Sequence, residues 1–425
     1  MLIQIKLKMN IVKKYISYSK DNSIKIISSS EFEVINNKTS SVETIDNVSL
    51  NSRFIDKNND KNIKLGYICN WKQQCGISTY SKFVFDDLKE LVDDYKIFSE
   101  YKFKDVEEND DDVIYCWKRG EQLKTLLDEI KKYNPNVLLL QHEWGIFSKA
   151  GIFMSFITEL KRLNIPIIVV LHSVYDHLDK TVPLSVLDNI IVHSNEAKLS
   201  LQKHFKGNVF VIPHGCPEPK EYQEIWNIFQ VPYVIFGFGF GFKYKGIDVA
   251  IDAIKYLKDT DAKFKDILYI YVCSESDTNK GIHDNYYDML SEKVEKEGLE
   301  NNIILIRGYL EDNMLDTYLK TVKMVIFPYI QDANNSVFGS SGAIKIAMSY
   351  NIPIIASKSH MFDDIEGYVP RTLDYKELAE EIDKIFSDSN YREKVINDSH
   401  TYIKNNSWKI TAQRYLDCIN EVKNN

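Results

Sequence analysis

Residues 328–332, PYIQD, and residues 337–357, VFGSSGAIKIAMSYNIPIIAS, read together as strand, polar loop, helix start, short helix and strand. Ser340, Ser341 and Gly342 place a capping hydroxyl and unhindered backbone at the start of a helix whose first N–H groups have no internal partner. This is the layout of an anion site, and a phosphate would fit it. An ordinary capped helix in an α/β layer is the other reading. Ile344, Ala347 and Met348 fall on one face at helical spacing, Asn351 can close the helix, and Pro353 opens the apolar strand Ile354-Ile355-Ala356.

Working outward, apolar strand-length runs at 233–238, 267–272, 303–306, 324–327 and 352–356 alternate with helical patterns. An equivalent series precedes it. It begins at 65–68, turns through a loop at Gly76 into a helix carrying Ile77, Tyr80, Val84, Leu88 and Leu91, and continues with strands at 137–140, 167–171, 190–192 and 209–212. Each series is the signature of a parallel sheet wrapped by helices. The expected architecture is therefore α/β, with two Rossmann-like doubly wound domains facing a cleft. The apolar pattern breaks between Pro217 and Pro232, which divides the chain into 61–225 and 226–405, with a last helix over 406–425. Residues 1–60 are rich in Ser, Asn, Lys and Asp, with short alternating stretches at 3–7 and 23–27. They read as a polar extension or small β-ribbon followed by a linker.

The 425 residues are long enough for two domains, and 44% apolar with 27% charged residues is a globular composition. No apolar run is long enough to span a membrane. The start, MLIQIKLKMNIVKKY, lacks the compact apolar core and small-residue cleavage site of a signal peptide, so the cytoplasm is the expected location. A net charge of −8 without an Arg/Lys stripe argues against nucleic acid as the main partner, while local lysines leave room for phosphate or peripheral membrane contact. The six cysteines form no C-x-x-C pair, which points to reduced thiols rather than a zinc site. The acid run at 107–112 reads as a solvated loop, and no metal is expected there.

In an open parallel sheet, ligands bind outside the carboxyl ends of the strands. His142, His172, His193 and His214 each follow such a strand and are expected to face the second domain, where imidazole can donate to developing charge or exchange a proton. Glu143 stands beside His142 as an acid, a base, a sugar-hydroxyl acceptor or a simple salt-bridge partner. Gly76 lets backbone approach a ligand at a helix start. In the second half, GFGFGFKYKGID carries Gly237, Gly239, Gly241, Lys243, Lys245 and Gly246. Phe242 occupies the last position of the dinucleotide fingerprint, so an NAD site is not supported; lysines at such a turn suit a diphosphate.

CGISTY, QHEWGIF, PIIVVLHS, the stretch from VHSNEA to VIPHG, KYKGID, GYLEDNMLDTYL before FPY, SSGAIKIAMSYNIPIIAS and the late Ser407-Trp408 occur in the order and spacing of a known family. The chain between about Ile63 and Leu416 resembles the retaining nucleotide-sugar glycosyltransferases of group 1, which have the GT-B fold. The resemblance implies an acceptor-binding N-terminal domain, a nucleotide-sugar-binding C-terminal domain and a last helix that crosses back. It implies His172 beside the transferred sugar, Lys245 on the donor diphosphate, Ser341 and Gly342 as backbone donors to it, and Arg307, Gly308 and Tyr309 near the base. It also implies metal-independent transfer, with no bound cofactor, from a UDP- or GDP-sugar to a hydroxyl of a glycan, lipid or protein. Two positions depart from the family. Gly239 stands where its arginine precedes the lysine, with Lys243 as a substitute, and Phe338 and Ile346 stand at the E-x(7)-E positions, as in branches with a Ser-Ser-Gly loop. A nucleotide-sugar hydrolase or epimerase, for which His142 and Glu143 would be the acid/base pair, and a non-catalytic GT-B-like binding protein are the alternatives.

Overall fold

The computed structural model describes residues 16–18, 24–26, 62–73, 75–101, 110–175, 184–222, 229–274, 280–308, 310–331 and 336–424. It divides into two units, residues 1–62 and 63–425. In the first, β1 (Ile16–Tyr18) pairs antiparallel with β2 (Ile24–Ile26). The second strand falls in the alternating stretch at 23–27; the stretch at 3–7 lies outside the described residues.

The second unit contains two parallel sheets. The first is built from β3 (Lys64–Cys69), β4 (Asp94–Glu100), β5 (Val113–Trp117), β6 (Val137–His142), β7 (Ile167–Leu171), β9 (Asn189–Val192) and β10 (Asn208–Val211), in the order β10-β9-β7-β6-β3-β4-β5. The second is built from β11 (Val234–Phe240), β12 (Leu268–Ser274), β13 (Ile303–Arg307), β14 (Met324–Phe327), β16 (Ile354–Ser357) and β17 (Arg371–Thr372), in the order β13-β12-β11-β14-β16-β17. Both are doubly wound. Strand order reverses between β3 and β6 in one and between β11 and β14 in the other, and each reversal opens a crevice at the carboxyl ends.

Helices cover both faces of the first sheet. Helix α1 (Gly76–Leu88) buries Tyr80, Val84, Phe85 and Leu88 on the face that carries Leu65, Tyr67, Leu139, Ile168, Val170 and Ile191. The opposite face carries Leu138, Leu140, Val169 and Val192 and packs against α2 (Lys124–Tyr133), α3 (Ala150–Lys161) and α4 (Asn195–Gln202). In the second sheet, α5 (Ile247–Thr260) spaces Ile247, Ala250, Ile251, Ile254 and Leu257 along one stripe against Ile235, Tyr269 and Met324.

Two further connections join the sheets. Strand β8 (Ser173–Tyr175), just after β7, pairs antiparallel with β15 (Val337–Gly339) from the second half, with Phe338 opposite Val174. Phe338 enters the hydrophobic cluster of the first sheet, where burial of a phenylalanine contributes about 1.5–3 kcal/mol. This explains an apolar residue at a position where the family resemblance leads one to look for a carboxylate. The last helix, α11 (Trp408–Asn424), lies on α1 and buries Ala412, Tyr415, Cys418 and Ile419 in the first sheet's core. The Tyr80 and Tyr415 hydroxyls meet there at 2.9 Å.

Candidate active site

Side chains alternate between the faces of a strand, and this alternation sorts the four strand-end histidines. His172 continues the series Ile168 and Val170, His193 continues Ile191, and His214 continues Ile212, all on the α1 face. The three rings gather around Tyr80, at 4.7, 5.4 and 4.8 Å between centroids respectively. His142 instead continues Leu138 and Leu140 on the other face. It stacks on Phe147 and packs against Trp144 and Phe153, with neither ring nitrogen bonded among the described residues. The expectation that all four face the crevice therefore fails at His142, because its strand parity turns it inward. Burial pushes its pKa down from 6.5 to about 3.

The remaining histidines form a directional line. His193 Nδ1 lies 2.9 Å from the Ile212 carbonyl, so it carries the proton and donates. His193 Nε2 can then accept from His172 Nδ1, 3.2 Å away. His172 Nε2 meets the Gln141 carboxamide oxygen at 2.8 Å, and the carboxamide nitrogen has no partner among the described residues. With both rings neutral, a half-turn of that amide presents an N–H to Nε2. Neutral rings are what the surroundings favour: burial, then His193, His214 and His142, hold His172 well below 6.5. Burial also lowers His193 and takes His214 to about 3. His214 donates from Nδ1 to the Gly215 carbonyl at 2.7 Å. Its Nε2 is 3.6 Å from where a β-carbon on Gly342 would stand, so this ring borders the second half.

Glu143 is taken up in tying a loop to the interdomain ribbon. Its carboxylate accepts from the Ser173 hydroxyl at 2.8 Å and the Trp144 amide at 3.0 Å, and burial raises its pKa. Around Gly76 nothing would obstruct a β-carbon. The cap of α1 is Cys75, whose sulfur accepts from the Ser78 amide; the Ser78 hydroxyl accepts from Gln73. Beside this turn, the fully buried Glu100 carboxylate is held by Arg119 through two 2.8 Å bonds and by Asn70 at 2.8 Å.

In the second half, Gly246 sits at φ +65°, and a β-carbon there would collide with the Pro328 carbonyl oxygen. Only glycine lets the KYKG turn press against the end of β14. That contact lays Lys245 beside Tyr329. The ammonium donates to the Tyr329 hydroxyl at 2.6 Å and lies 4.0 Å from its ring centroid. The Tyr329 and Ser341 hydroxyls are 3.1 Å apart. Lys245 is 8% exposed, and among the described residues no carboxylate pairs with it. Burial accordingly lowers its pKa. Lys243, on the same turn, is exposed.

The loop before α8 (Gly342–Met348) is partly committed to packing. The Ser340 hydroxyl donates to Asp364 at 2.7 Å, and the Ser341 amide donates to the Met361 carbonyl at 3.2 Å. Asp364 forms a buried ion pair with Lys345 at 2.8 Å and accepts from Tyr402 at 3.1 Å. Burial would raise the Asp364 pKa, but Lys345 and Ser340 together hold it below the usual carboxylate value. At the end of β13, Arg307 turns to Asp284 on α6 (Lys280–Lys296) rather than standing free. Gly308 donates to the Cys273 carbonyl at 3.0 Å, and Tyr309 lies outside the described residues. Sequence reasoning passed over Gln141, Tyr329, Lys345 and Asp364. Tyr329 alone carried a signal, as the polar residue at the end of β14 facing the lysine turn.

The sequence pattern of the family described as glycosyl transferases group 1 matches residues 218–401. No curated protein shows significant sequence similarity to the chain. Among solved structures, sucrose-phosphate synthase from Thermosynechococcus elongatus superposes with a TM-score of 0.65 at 15% identity, over 85% of this chain and 99% of that one. An α,α-trehalose-phosphate synthase (UDP-forming) from Burkholderia xenovorans, in complex with glucose-6-phosphate, gives 0.64 at 10% identity, over 84% and 100%. A trehalose-6-phosphate protein from E. coli bound with UDP-2-fluoro glucose gives 0.63 at 10% identity, over 85% and 99%. At these identities the structural likeness concerns the fold, and the family match covers the half that holds Lys245, Tyr329 and the Ser-Ser-Gly loop. The chain thus has the GT-B fold, and its residues 218–401 carry the sequence pattern of the glycosyl transferases group 1.

Proposed function

We propose that the enzyme moves a sugar from a uridine diphosphate sugar to a hydroxyl acceptor with retention of configuration, and that Lys245 binds the donor diphosphate. The observation that carries this reading is a buried ammonium without a carboxylate partner among the described residues. Such a charge is costly unless an anion compensates it, and a phosphate oxygen does so with a charge-assisted hydrogen bond. As the glycosidic bond breaks, negative charge grows on the leaving diphosphate, so the ammonium stabilises the transition state more than the bound substrate. Tyr329 orients Lys245, and Ser340, Ser341, Gly342, Lys243 and Gly76 are assigned with it to the donor. Arg307 and Gly308, at the end of β13, are assigned to the base.

The histidines fit same-face attack, in which the acceptor proton leaves with the departing phosphate. His172, held far below 6.5, is poorly suited to take a proton at neutral pH. Its role is to meet the transferred sugar, whose hydroxyl replaces the Gln141 amide at Nε2. A hydrolase or epimerase would need an acid/base pair, and His142 sits in its aromatic cage while Glu143 is bonded to Ser173 and Trp144. Uridine is favoured because fold relatives are described as UDP-forming or as bound with UDP-2-fluoro glucose. The six free thiols agree with a cytoplasmic location. Calorimetric titration with UDP, GDP, ADP and TDP, followed by turnover of the matching sugars, tests the reading. UDP is expected to bind tightest; binding of none of the four, or equal binding by a Lys245→Ala variant, overturns it.

A further inference from the structure

The alternating glycines of β11 are explained by the strand beside them. Gly237 pairs in register with Tyr271 and Gly239 with Cys273. A β-carbon on Gly237 would stand 2.7 Å from the Tyr271 ring and 2.8 Å from the Tyr269 hydroxyl. The two tyrosines therefore lean across β11 in a slot that only glycine leaves open. Both are buried, at 0 and 2% exposure, and neither hydroxyl has a hydrogen-bond partner among the described residues. A buried phenol normally finds one.

Tyr271 is aimed at the lysine turn. A β-carbon on Gly239 would lie 3.6 Å from the Tyr271 hydroxyl oxygen and 4.0 Å from Lys245 Nζ. An unpaired phenol and an ammonium without a carboxylate thus flank the same glycine-cleared point, and Gly239 is itself partly exposed to solvent. Two donors converging on one small space, with no acceptor among the described residues between them, form an oxyanion cradle. We propose that Tyr271 is a second donor-binding residue, which gives its O–H to an oxygen of the nucleoside diphosphate that Lys245 holds. The inference rests on the reading of Lys245 as the diphosphate residue.

An O–H left unbonded in the free protein weakens the fold, and one bonded in the complex strengthens binding. Removing it should move stability and affinity in opposite directions, which a merely structural tyrosine would not do. The experiment titrates full-length wild type, Tyr271→Phe and Lys245→Ala with whichever of UDP, GDP, ADP or TDP binds wild type most tightly, and melts each protein without ligand. Tyr271→Phe is expected to bind roughly 5- to 30-fold more weakly, with a melting temperature equal to or above wild type. Unchanged affinity in Tyr271→Phe alongside weakened binding by Lys245→Ala overturns this inference alone. Unchanged affinity in both variants overturns the donor-site reading with it. A Tyr271→Phe protein that melts several degrees lower and binds more weakly shows a packing role, and also overturns the inference.

Discussion

Beside the turn after its first strand, each sheet holds a buried charge, but the two are balanced differently. In the first half Glu100 is met by the Arg119 fork and Asn70. In the second half Lys245 has a tyrosine hydroxyl and ring for company, and no carboxylate among the described residues. The winding of the two sheets is alike, so winding supplies the crevices and charge balance decides what each can take. The first half thus holds a compensated carboxylate and, separately, neutral histidines. An uncompensated ammonium suits an anion.

If Glu100–Arg119 is structural and Lys245 functional, substitutions should separate stability from activity. Arg119→Met strands a buried carboxylate, and urea denaturation should show a loss of about 3–5 kcal/mol, with nucleotide affinity of the folded protein unchanged. Lys245→Ala should slow transfer about ten- to a thousandfold and weaken UDP binding, while the unliganded melting temperature does not fall. Lys245→Arg should restore part of the rate, since charge matters more than shape at this contact. Rates and affinity equal to wild type would erase the contrast between the halves.

The third prediction sharpens the neutral side. His172→Ala should lower kcat by about tenfold or more, as expected for an interaction strengthened in the transition state, and leave the Kd for UDP within about twofold. A kcat within a factor of two of wild type would take His172 out of the site. The smallest effect concerns His142. Its folded pKa of about 3 lies below the unfolded 6.5, so the unfolded chain binds the extra proton first. Its contribution to stability is complete above pH 6.5 and declines as pH falls from there toward 3. His142→Phe should give a shallower acid limb in the stability profile, with kcat retained; an unaltered limb would contradict the burial of a neutral ring.

The alternation of strands and helices made most of both sheets legible in the sequence, since a short apolar run between amphipathic stretches has few other uses; β4, β5 and β17, which are more exposed or shorter, were not legible as strands. The convergence of His172, His193 and His214 was legible from their places at strand ends. The inward turn of His142 was legible too, but only by counting parity from Leu138 and Leu140, which strand position alone ignores. Lys245 could be placed on its turn by the glycines around it. Its burial could not, because that depends on Pro328 and Tyr329, about 80 residues later in the chain. The β8–β15 ribbon was hidden for the same reason: three-residue strands carry almost no periodic signal, and their pairing is a tertiary event.

Phe338 and α11 set an order of events during synthesis. The first sheet is translated before either exists, yet one face of its core includes Phe338 and the other includes Ala412, Tyr415, Cys418 and Ile419. A nascent chain that has reached residue 225 therefore carries two apolar faces with gaps in them, and vectorial folding cannot finish the domain that emerges first. The core of the first half is complete only once α11, seventeen residues long, has also been made.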